Sequence, residues 1–232
     1  MFFVRRMTLS PRLAATASLV VGGGKIVDIG TDHAYLPAYL ILNEKVPFAI
    51  AADIRKSPLE NAKETVIKYS LEEKIELRLS DGLSEIKENE VSEIIFAGMG
   101  GTLIAEKLKE CPWVKNEGYH FVFQPQSKAE DLREYLFANG FEINKELAVN
   151  EGRRYYITFD AYYKGTKNEY TPSDCFIGKL PHTEEAKVHL TNQLNRLQKK
   201  LDALKNNCRN EQEIKALETL TEDIKGFIYG KT

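Results

Sequence analysis

The feature that most constrains the fold is a regular alternation of short apolar runs with helical segments between residues 25 and 140. Short apolar runs bounded by turn-forming residues are typical of strands that are buried on both faces of a sheet. The predicted strands cover 25–30, 47–54, 74–81, 92–98 and 120–125, and the helices between them cover 34–43, 57–70, 102–110 and 127–139. This alternation predicts an α/β fold, with an open and mostly parallel sheet that carries helices on both faces.

Two further segments extend this pattern. A helix is predicted to begin at Ser10-Pro11, a favoured pair for the N-cap and the first turn, and to end at Gly22. After residue 140, strands are predicted over 141–150 and 153–163, joined by a short turn. A turn this short joins antiparallel neighbours, so one strand of the sheet must run against the others. Ligands bind such sheets at the carboxyl ends of the parallel strands.

The last part of the chain follows a different pattern, after a polar connection over 162–181. Apolar residues recur there at spacings of four and three, which indicates the seam of a coiled coil. The seam consists of Leu190, Leu194, Leu197, Leu201, Leu204 and Cys208, and after a polar interruption the spacing resumes at Ile214, Leu217, Leu220, Ile224 and Phe227. Two antiparallel helices packed as a C-terminal hairpin explain this best, although a dimerising coiled coil also fits. The expected domains are 1–165 and 166–232.

Composition excludes several classes of protein. The 32 Lys and Arg residues against 34 Asp and Glu give a net charge of -2, which excludes a globally basic nucleic-acid coat but allows a local basic patch. The three cysteines are widely spaced and fit neither a disulfide framework nor a zinc site, so a reducing, cytoplasmic location is expected. No run approaches the ~20 apolar residues that span a membrane. The apolar run 13–24 superficially resembles a secretory signal, but it leads directly into a predicted buried strand.

The most informative stretch is VDIGTDHAYLP (27–37), in which a strand ends at Asp28-Ile29-Gly30 and a tight turn opens a helix. Gly30 lets the backbone approach a ligand, and the free N–H groups of the helix start favour polar or anionic ligand groups. A dinucleotide site would require G-x-G-x-x-G, but Asp32 occupies the second glycine position. An acidic residue in this turn suits a cationic or amino-bearing cofactor better than a pyrophosphate.

Three other strand ends carry related signals. Asp53 ends the second strand, where a carboxylate can accept hydrogen bonds from ribose hydroxyls. Asp81-Gly82 follows the third strand and suits recognition of an adenine amino group, and AGMGG (97–101) ends the fourth strand and leaves room for a flat group. Each signal alone also fits an ordinary turn or helix cap. Their occurrence at successive strand ends favours one shared ligand crevice.

Together these residues resemble the pattern of class I S-adenosylmethionine-dependent methyltransferases. DIGTDHAYLP followed by AGMGG, on a chain with a C-terminal helical hairpin, is similar to the TrmK family. That resemblance implies a Rossmann-like fold, S-adenosyl-L-methionine as cofactor, and methylation of N1 of the adenine at position 22 in bacterial tRNA. Asp32 departs from the generic methyltransferase turn, in which a glycine stands at this position, but matches the TrmK motif.

The resemblance also implies roles for individual residues. The methionine part of the cofactor would be surrounded by Asp28, Ile29, Gly30, Thr31, Asp32 and His33. Asp53 would hold the ribose and Ile54 would lie beside the adenine, whose edge Asp81 and Gly82 would recognise. Gly98, Met99 and Gly100 would border both the cofactor and the target base.

The residues at the end of the fourth strand also indicate which kind of nitrogen is methylated. Methyltransferases that act on exocyclic amines commonly carry an Asn/Asp/Ser-Pro-Pro-aromatic motif there, and AGMGG has no such polar side chain. A ring nitrogen, whose lone pair is already nucleophilic, is therefore favoured, and catalysis would consist mainly of positioning. A proton must still leave the adenine, and Asp32 or His33 could accept it as the catalytic residue. The alternative is that Asp32 orients the cofactor and His33 caps the helix.

Basic residues in two places are candidates for RNA binding. Arg5, Arg6, Arg12 and Lys25 give the first 25 residues a local positive charge, and Arg196, Lys199 and Lys200 lie off the leucine seam. Clusters of this kind contact phosphates, although they also fit simple solvation of the surface. Arg153, Arg154, Tyr155 and Tyr156 form a further basic and aromatic mixture. The expected partner is tRNA, with no metal and no membrane, and the chain is expected to be a monomer.

Two other functions remain open at this point. One is a methyltransferase for another substrate, such as a small molecule or a protein, and the other is a non-catalytic adaptor that binds S-adenosylmethionine and acts through the coiled coil. An open crevice beside a basic hairpin would argue against the former. The intact AGMGG and Asp32 argue against the latter.

Overall fold

The computed structural model describes residues 7–167, 169–206 and 210–230. The strands are β1 (Ile26–Ile29), β2 (Ala49–Asp53), β3 (Ile75–Leu79), β4 (Glu93–Ala97), β5 (His120–Gln124), β6 (Phe141–Glu151) and β7 (Arg154–Tyr163). The helices are α1 (Pro11–Leu19), α2 (Tyr35–Leu42), α3 (Lys56–Lys68), α4 (Gly101–Lys109), α5 (Ala129–Ala138), α6 (Pro172–Ile177), α7 (Glu184–Asn206) and α8 (Glu211–Tyr229).

The strands form one seven-stranded sheet in the order β3-β2-β1-β4-β5-β7-β6. Strands β1 to β5 pair in parallel, and β7 pairs antiparallel with both β5 and β6. The predicted α/β fold with a Rossmann-like sheet is therefore confirmed, as is the antiparallel strand that the short turn requires. The parallel register places the carboxyl ends of β1, β2 and β4 side by side, which is the arrangement a crevice needs.

The core lies on both faces of the central strands, which explains why their sequences are almost continuously apolar. Each residue of β1, β2 and β5 is buried. On one face Phe96, Phe121 and Phe123 stack on one another between the sheet and its helices. On the other face Ile95 and Val122 pack in a cluster that includes residues of α1, α2 and α3. This packing fixes the strand ends rigidly.

Two local features differ from the prediction. Helix α1 begins at Pro11 as expected but ends at Leu19, three residues before Gly22. The polar connection contains α6, which the sequence pattern did not predict. A reciprocal pair of hydrogen bonds between Thr171 and Asp174 caps its start, and Pro172 occupies the first turn. Because α6 is only 6 residues long, it has too few apolar positions to give a periodic signal.

The predicted C-terminal helical hairpin is confirmed by α7 and α8. The ring of His182, just before α7, stacks on Phe227 near the end of α8 with 4.1 Å between ring centroids, so the two helices run antiparallel. Leu190, Leu194 and Leu201 are buried, and they belong to the same apolar cluster as Phe141 and other residues of the sheet. The hairpin therefore packs on the sheet as well as on itself. Cys208 of the predicted seam lies outside the described residues.

The division into 1–165 and 166–232 stays a prediction, and apolar contacts cross the proposed boundary. Among the residues that the structure describes, no helix combines the length and the hydropathy needed to cross a lipid bilayer.

Candidate active site

A cleft of about 570 Å³ opens at the carboxyl ends of β1 and β4. The turn after β1 forms its floor, the segment 8–13 forms one wall, and Glu151 at the end of β6 closes one side. The predicted site residues that line this cleft are Asp28, Gly30, Thr31, Asp32, His33 and Gly98. Of the four strand ends that were predicted to share a crevice, those of β1 and β4 meet in this cleft.

Gly30 allows the tight turn at the end of β1. Its φ is +78°, a left-handed conformation that glycine adopts without strain. The N–H groups of Gly30 and Thr31 both donate to the carbonyl oxygen of Ala52 on β2, at 2.8 and 3.0 Å. A Cβ on Gly30 would lie 2.9 Å from the Met99 sulfur. The turn after β1 and the loop after β4 therefore lie against each other, and a side chain at Gly30 would displace Met99.

Asp28 is the buried acidic group of the cleft, with only 5% of its surface exposed. Burial raises its pKa to about 7, despite an opposing hydrogen bond with Thr31 and the positive charge of Arg12, and the negative charge of Asp53 raises it further. A buried carboxyl that titrates near neutrality in a ligand-sized cleft is typical of a functional site. It would gain most from a positively charged ligand group.

The loop after β4 is held by the segment that follows β5. The Gly98 N–H donates to the carbonyl of Gln124 at 3.0 Å, and the Gln126 N–H donates to the carbonyl of Met99 at 2.8 Å. Gly98 has φ +90°, and a Cβ there would lie within about 3.5 Å of the side chains of Gln126 and Arg12. Its lack of a side chain keeps this end of the cleft open.

Arg12 lies in the wall of the cleft rather than on the outer surface. Its Nη1 donates to Gln124 Oε1 at 2.6 Å, and its backbone N–H donates to Glu151 Oε2 at 2.9 Å. Burial alone would raise the pKa of Glu151, but hydrogen bonds from Ser10 and Arg12 lower it. These contacts attach the start of α1 to the β6–β7 hairpin, which contributes Glu151 to the cleft.

Sequence reasoning missed Gln124, Gln126, Glu151 and Arg55 as residues at or beside the cleft. Gln124 ends β5 and Gln126 follows it by two residues, so the strand-end rule could have found both. Arg55 follows the end of β2 by two residues and could have been found in the same way, whereas Glu151 carries no such signal. Glu151 comes from the antiparallel hairpin, and its position depends on tertiary packing against α1.

The predicted ribose and adenine residues lie at neighbouring strand ends, outside the lining of this cleft. Asp53 is buried, and its Oδ1 accepts a hydrogen bond from the Arg55 N–H at 2.7 Å. Ile54 is exposed. Asp81 pairs with Lys107 at 2.8 Å, and Lys107 covers Gly82 with its side chain. Strands β2 and β3 are neighbours, so these groups lie at adjacent strand ends on the same edge of the sheet.

Asp32 and His33 stand at the mouth of the cleft. Their side chains are 64% and 41% exposed, and His33 Nε2 lies 3.5 Å from Asp32 Oδ2. Asn61 donates a hydrogen bond to Asp32 at 3.4 Å, and the ring of His33 stacks on Tyr35 with 4.9 Å between centroids. Both side chains can therefore reach a ligand that enters from solvent, whereas Asp28 meets a ligand only inside the cleft.

The residues predicted to bind RNA are distributed over several places. Arg5 and Arg6 lie outside the described residues, and Arg12 is in the cleft wall. Arg196, Lys199 and Lys200 are exposed on α7, where Lys200 pairs with Glu213 of α8 at 2.8 Å.

Comparisons with known proteins agree with this geometry. Residues 9–159 match the family described as methyltransferase domain. The chain is 37% identical over 153 residues to the tRNA (adenine(22)-N(1))-methyltransferase of Bacillus subtilis, a match that covers 66% of this chain and 64% of that protein. The chain thus spans less than two thirds of this curated relative.

Solved structures extend the similarity to the full length. The B. subtilis m1A22 tRNA methyltransferase TrmK is 29% identical, with a TM-score of 0.84 over 96% of this chain and 100% of that one. TrmK of M. capricolum, solved with S-adenosyl-homocysteine, is 27% identical, with a TM-score of 0.77 over 97% of this chain and 99% of that one. The C-terminal hairpin is therefore included in the structural match.

Proposed function

The chain belongs to the methyltransferase-domain family, in the group of the bacterial TrmK proteins, and on that premise we propose that it methylates N1 of adenine 22 in tRNA with S-adenosylmethionine as methyl donor. The observation that carries the proposal is the cleft at the ends of β1 and β4, on a chain that matches TrmK over its whole length. An open cleft, on a chain whose α7 exposes Arg196, Lys199 and Lys200, suits a macromolecular substrate better than an enclosed small molecule.

The residues present fit S-adenosylmethionine by their donor and acceptor chemistry. The ligand carries an ammonium group, a sulfonium, two ribose hydroxyls and an adenine amino group. Three strand ends offer carboxylates, Asp28, Asp53 and Asp81, and Ile54, next to Asp53 in the chain, offers an exposed apolar side chain. We propose that Asp28, Ile29, Gly30, Thr31, Asp32 and His33 hold the methionine part, Asp53 the ribose, and Ile54, Asp81 and Gly82 the adenine.

When bound, S-adenosylmethionine supplies an electrophilic methyl group. The chain's own contribution is to place the adenine ring in the cleft and to exclude water around it. Gly98, Met99 and Gly100 leave room for the ring, and the Gln124 and Gln126 contacts keep this loop in place. Since no polar side chain of this loop can accept an amine proton, the ring nitrogen with its free lone pair is the favoured nucleophile.

Methyl transfer to N1 makes the adenine ring cationic, and a group that accepts a proton from N6 would return it to the neutral form. Asp32 and His33 remain our candidates because they stand at the mouth, where a base would enter. Asp28 is a third candidate because its pKa is close to 7, the value at which a carboxyl acts best as a base at neutral pH. Each of the three can be replaced by Asn or Gln. A lower kcat then indicates a catalytic role, whereas a higher KM for S-adenosylmethionine indicates cofactor binding.

Cofactor binding should depend on the protonation of Asp28. Below pH 7 the carboxyl is largely protonated and cannot pair with an ammonium group, so we expect the affinity for S-adenosylhomocysteine to fall by up to about tenfold per pH unit. Above the pKa the affinity should be constant. Burial is the main cause of the raised pKa of Asp28; among the groups that face it, Thr31 and Arg12 lower the pKa and Asp53 raises it. Calorimetric titrations from about pH 5.5 to 8.5 measure the effect.

The matched control for this titration is Asp28→Asn, which keeps the size of the side chain and removes its charge. Its affinity should be lower and should no longer vary with pH through neutrality. A wild-type affinity that stays constant across this range, or an Asp28→Asn variant with the same pH dependence as the wild type, would contradict the assignment of Asp28.

The proposed activity is tested by transfer of labelled methyl groups to unmodified tRNA transcripts. We expect the wild type to label tRNA and Asp53→Ala to label it poorly at low cofactor concentration. The lost charge-assisted hydrogen bond is worth ~1.5–3 kcal/mol, which corresponds to a roughly ten- to hundredfold weaker cofactor affinity. Labelling of a protein or a small molecule but not of tRNA would favour a methyltransferase for another substrate. Cofactor binding without transfer would favour the adaptor.

The proposal also includes a monomeric, cytoplasmic enzyme. The buried seam residues Leu190, Leu194 and Leu201 support the monomer because they are already covered within the chain. The proposed tRNA substrate supports the cytoplasmic location.

A further inference from the structure

A second groove, of about 330 Å³, lies between the loop after β5, the start of β7 and the exposed face of α7. It is distinct from the methyl-transfer cleft, and α7 forms one complete wall of it. Arg153 and Arg154 line it from the hairpin turn, and Arg196 lines it from α7. We call this surface the arginine groove.

The arginine groove is positively charged. Lys128 also lines it and pairs with Glu130 at 3.6 Å, but the three arginines have no such acidic partner among the described residues. No Asp or Glu is among the residues that line it. Arg153, Arg154 and Arg196 are exposed, and within the described part of the chain none of them forms an ion pair. Arg196 donates only a 3.3 Å hydrogen bond to Gln193. Burial and the charge of Arg133 lower the pKa of His189 to about 4, so this lining residue is neutral at physiological pH.

This lack of pairing sets the groove apart from other basic positions of the same helical hairpin. Lys200 and Lys187 of α7 pair with Glu213 and Glu184, at 2.8 and 3.1 Å, and Lys225 of α8 pairs with Glu222. Three exposed guanidinium groups that converge on a concave surface, on a chain of net charge -2, repel one another. An anionic ligand would offset this repulsion.

The other lining residues point to RNA among anionic ligands. Tyr155 and Tyr156 are half-buried in the groove wall, and Gln126, Asn192 and Gln193 add amide groups. Guanidinium groups contact phosphate oxygens, aromatic rings stack on unpaired bases, and amides bond to base edges or ribose. An acidic peptide would use the guanidinium groups but would not need stacking surfaces or amides.

The arginine groove also reaches the proposed catalytic cleft. Gln126 lines both cavities. Tyr156 of the groove lies beneath the guanidinium of Arg12, 5.6 Å from the ring centroid, and Arg12 lines the cleft. The two cavities are therefore neighbours that share Gln126 and meet at the contact between Arg12 and Tyr156.

We propose that the arginine groove binds the phosphate backbone of the tRNA next to the target adenine, with Arg153, Arg154 and Arg196 as phosphate contacts. This inference rests on the proposed function, because it names the surface that holds the substrate of that reaction. It assigns a role to α7 as one wall of the substrate site, in addition to its packing on the sheet.

The test compares the wild type with the triple variant Arg153→Gln, Arg154→Gln and Arg196→Gln. We expect the dissociation constant for unmodified tRNA, measured by fluorescence anisotropy, to rise by about ten- to a hundredfold. In a plot of log affinity against log salt concentration, the magnitude of the slope should be smaller by about two to three. In methylation assays KM for tRNA should rise with kcat little changed, and S-adenosylhomocysteine affinity should be unaltered.

A matched control variant also loses three positive charges, but at the opposite edge of the sheet. It carries Lys63→Gln, Lys68→Gln and Lys74→Gln, at three exposed positions on and near α3. This variant should bind tRNA almost as the wild type does. If the groove variant keeps the affinity and salt dependence of the control, the arginine groove is not the tRNA surface. Binding is measured without catalysis, so absence of methyl transfer by the wild type would overturn the proposed function separately.

Discussion

Replacing Arg133 with Met is expected to lower the free energy of unfolding by about 3–5 kcal/mol. Arg133 is 1% exposed and donates from Nε and Nη2 to both carboxylate oxygens of Glu146, at 2.9 and 3.0 Å. Its Nη1 donates to the carbonyl of Cys175 in α6 at 2.7 Å. The substitution leaves a buried carboxylate without its partner and a buried carbonyl without its donor, and both cost free energy.

Urea denaturation followed by circular dichroism measures this loss. The control is the double variant Arg133→Met and Glu146→Leu, which replaces the buried pair by apolar side chains of similar size. We expect the double variant to regain about 2 kcal/mol or more relative to the single variant, because no unpaired charge remains. The recovery should be incomplete since the Cys175 carbonyl stays unpaired. A single variant within about 0.5 kcal/mol of the wild type would show that this ion pair does not hold α5, β6 and α6 together.

Removal of residues 181–232 is expected to prevent the remaining chain from folding stably. Leu190, Leu194 and Leu201 of α7 are buried in the apolar cluster that contains Phe141 and Phe159 of the sheet. Each fully buried leucine contributes about 1.5–3 kcal/mol, so these three alone contribute about 5–9 kcal/mol. A typical domain has only about 5–15 kcal/mol of net stability.

Thermal melts and S-adenosylhomocysteine binding of the truncated chain measure this dependence, with Leu190→Ala as the milder variant. Leu190→Ala should cost about 2–5 kcal/mol and should leave cofactor affinity unchanged once the protein is folded. A truncated chain that melts cooperatively near the wild-type temperature and binds the ligand normally would show that residues 1–180 fold independently of the hairpin. We propose instead that the two parts differ in role, with cofactor binding on the sheet and substrate binding at the hairpin, and share one core.

The strand ends could be predicted from the sequence because parallel strands bring their carboxyl ends to one edge. Asp28, Gly30 and Gly98 follow apolar runs directly, and the parallel register then places them together. The lengths of the apolar runs and the turn residues after them indicate the parallel strands. The short turn of the hairpin at 141–163 then requires one antiparallel strand. The two-helix C-terminal hairpin likewise follows from its leucine spacing.

Contacts between distant segments could not be predicted in the same way. Arg12 looks like a surface charge in the sequence, yet Gln124 and Glu151, 112 and 139 residues away, hold it in the cleft wall. The leucine seam predicts that the hairpin buries an apolar face, but the spacing does not say how much of that face the sheet covers. Periodicity reports which residues are buried and leaves their partners undetermined. The unpaired charge of the arginine groove is also visible only once the neighbours are known.

The nucleoside that the purified protein forms on an unmodified tRNA transcript decides whether it is a tRNA adenine-N1 methyltransferase. We expect nuclease digestion at neutral pH and mass spectrometry to identify 1-methyladenosine, and primer extension to place it at position 22, as in the activity named for the B. subtilis relative. A transcript with guanosine at that position should accept no methyl group. Methylation of the exocyclic amine, equal labelling of the two transcripts, or no transfer to either would contradict the proposed function.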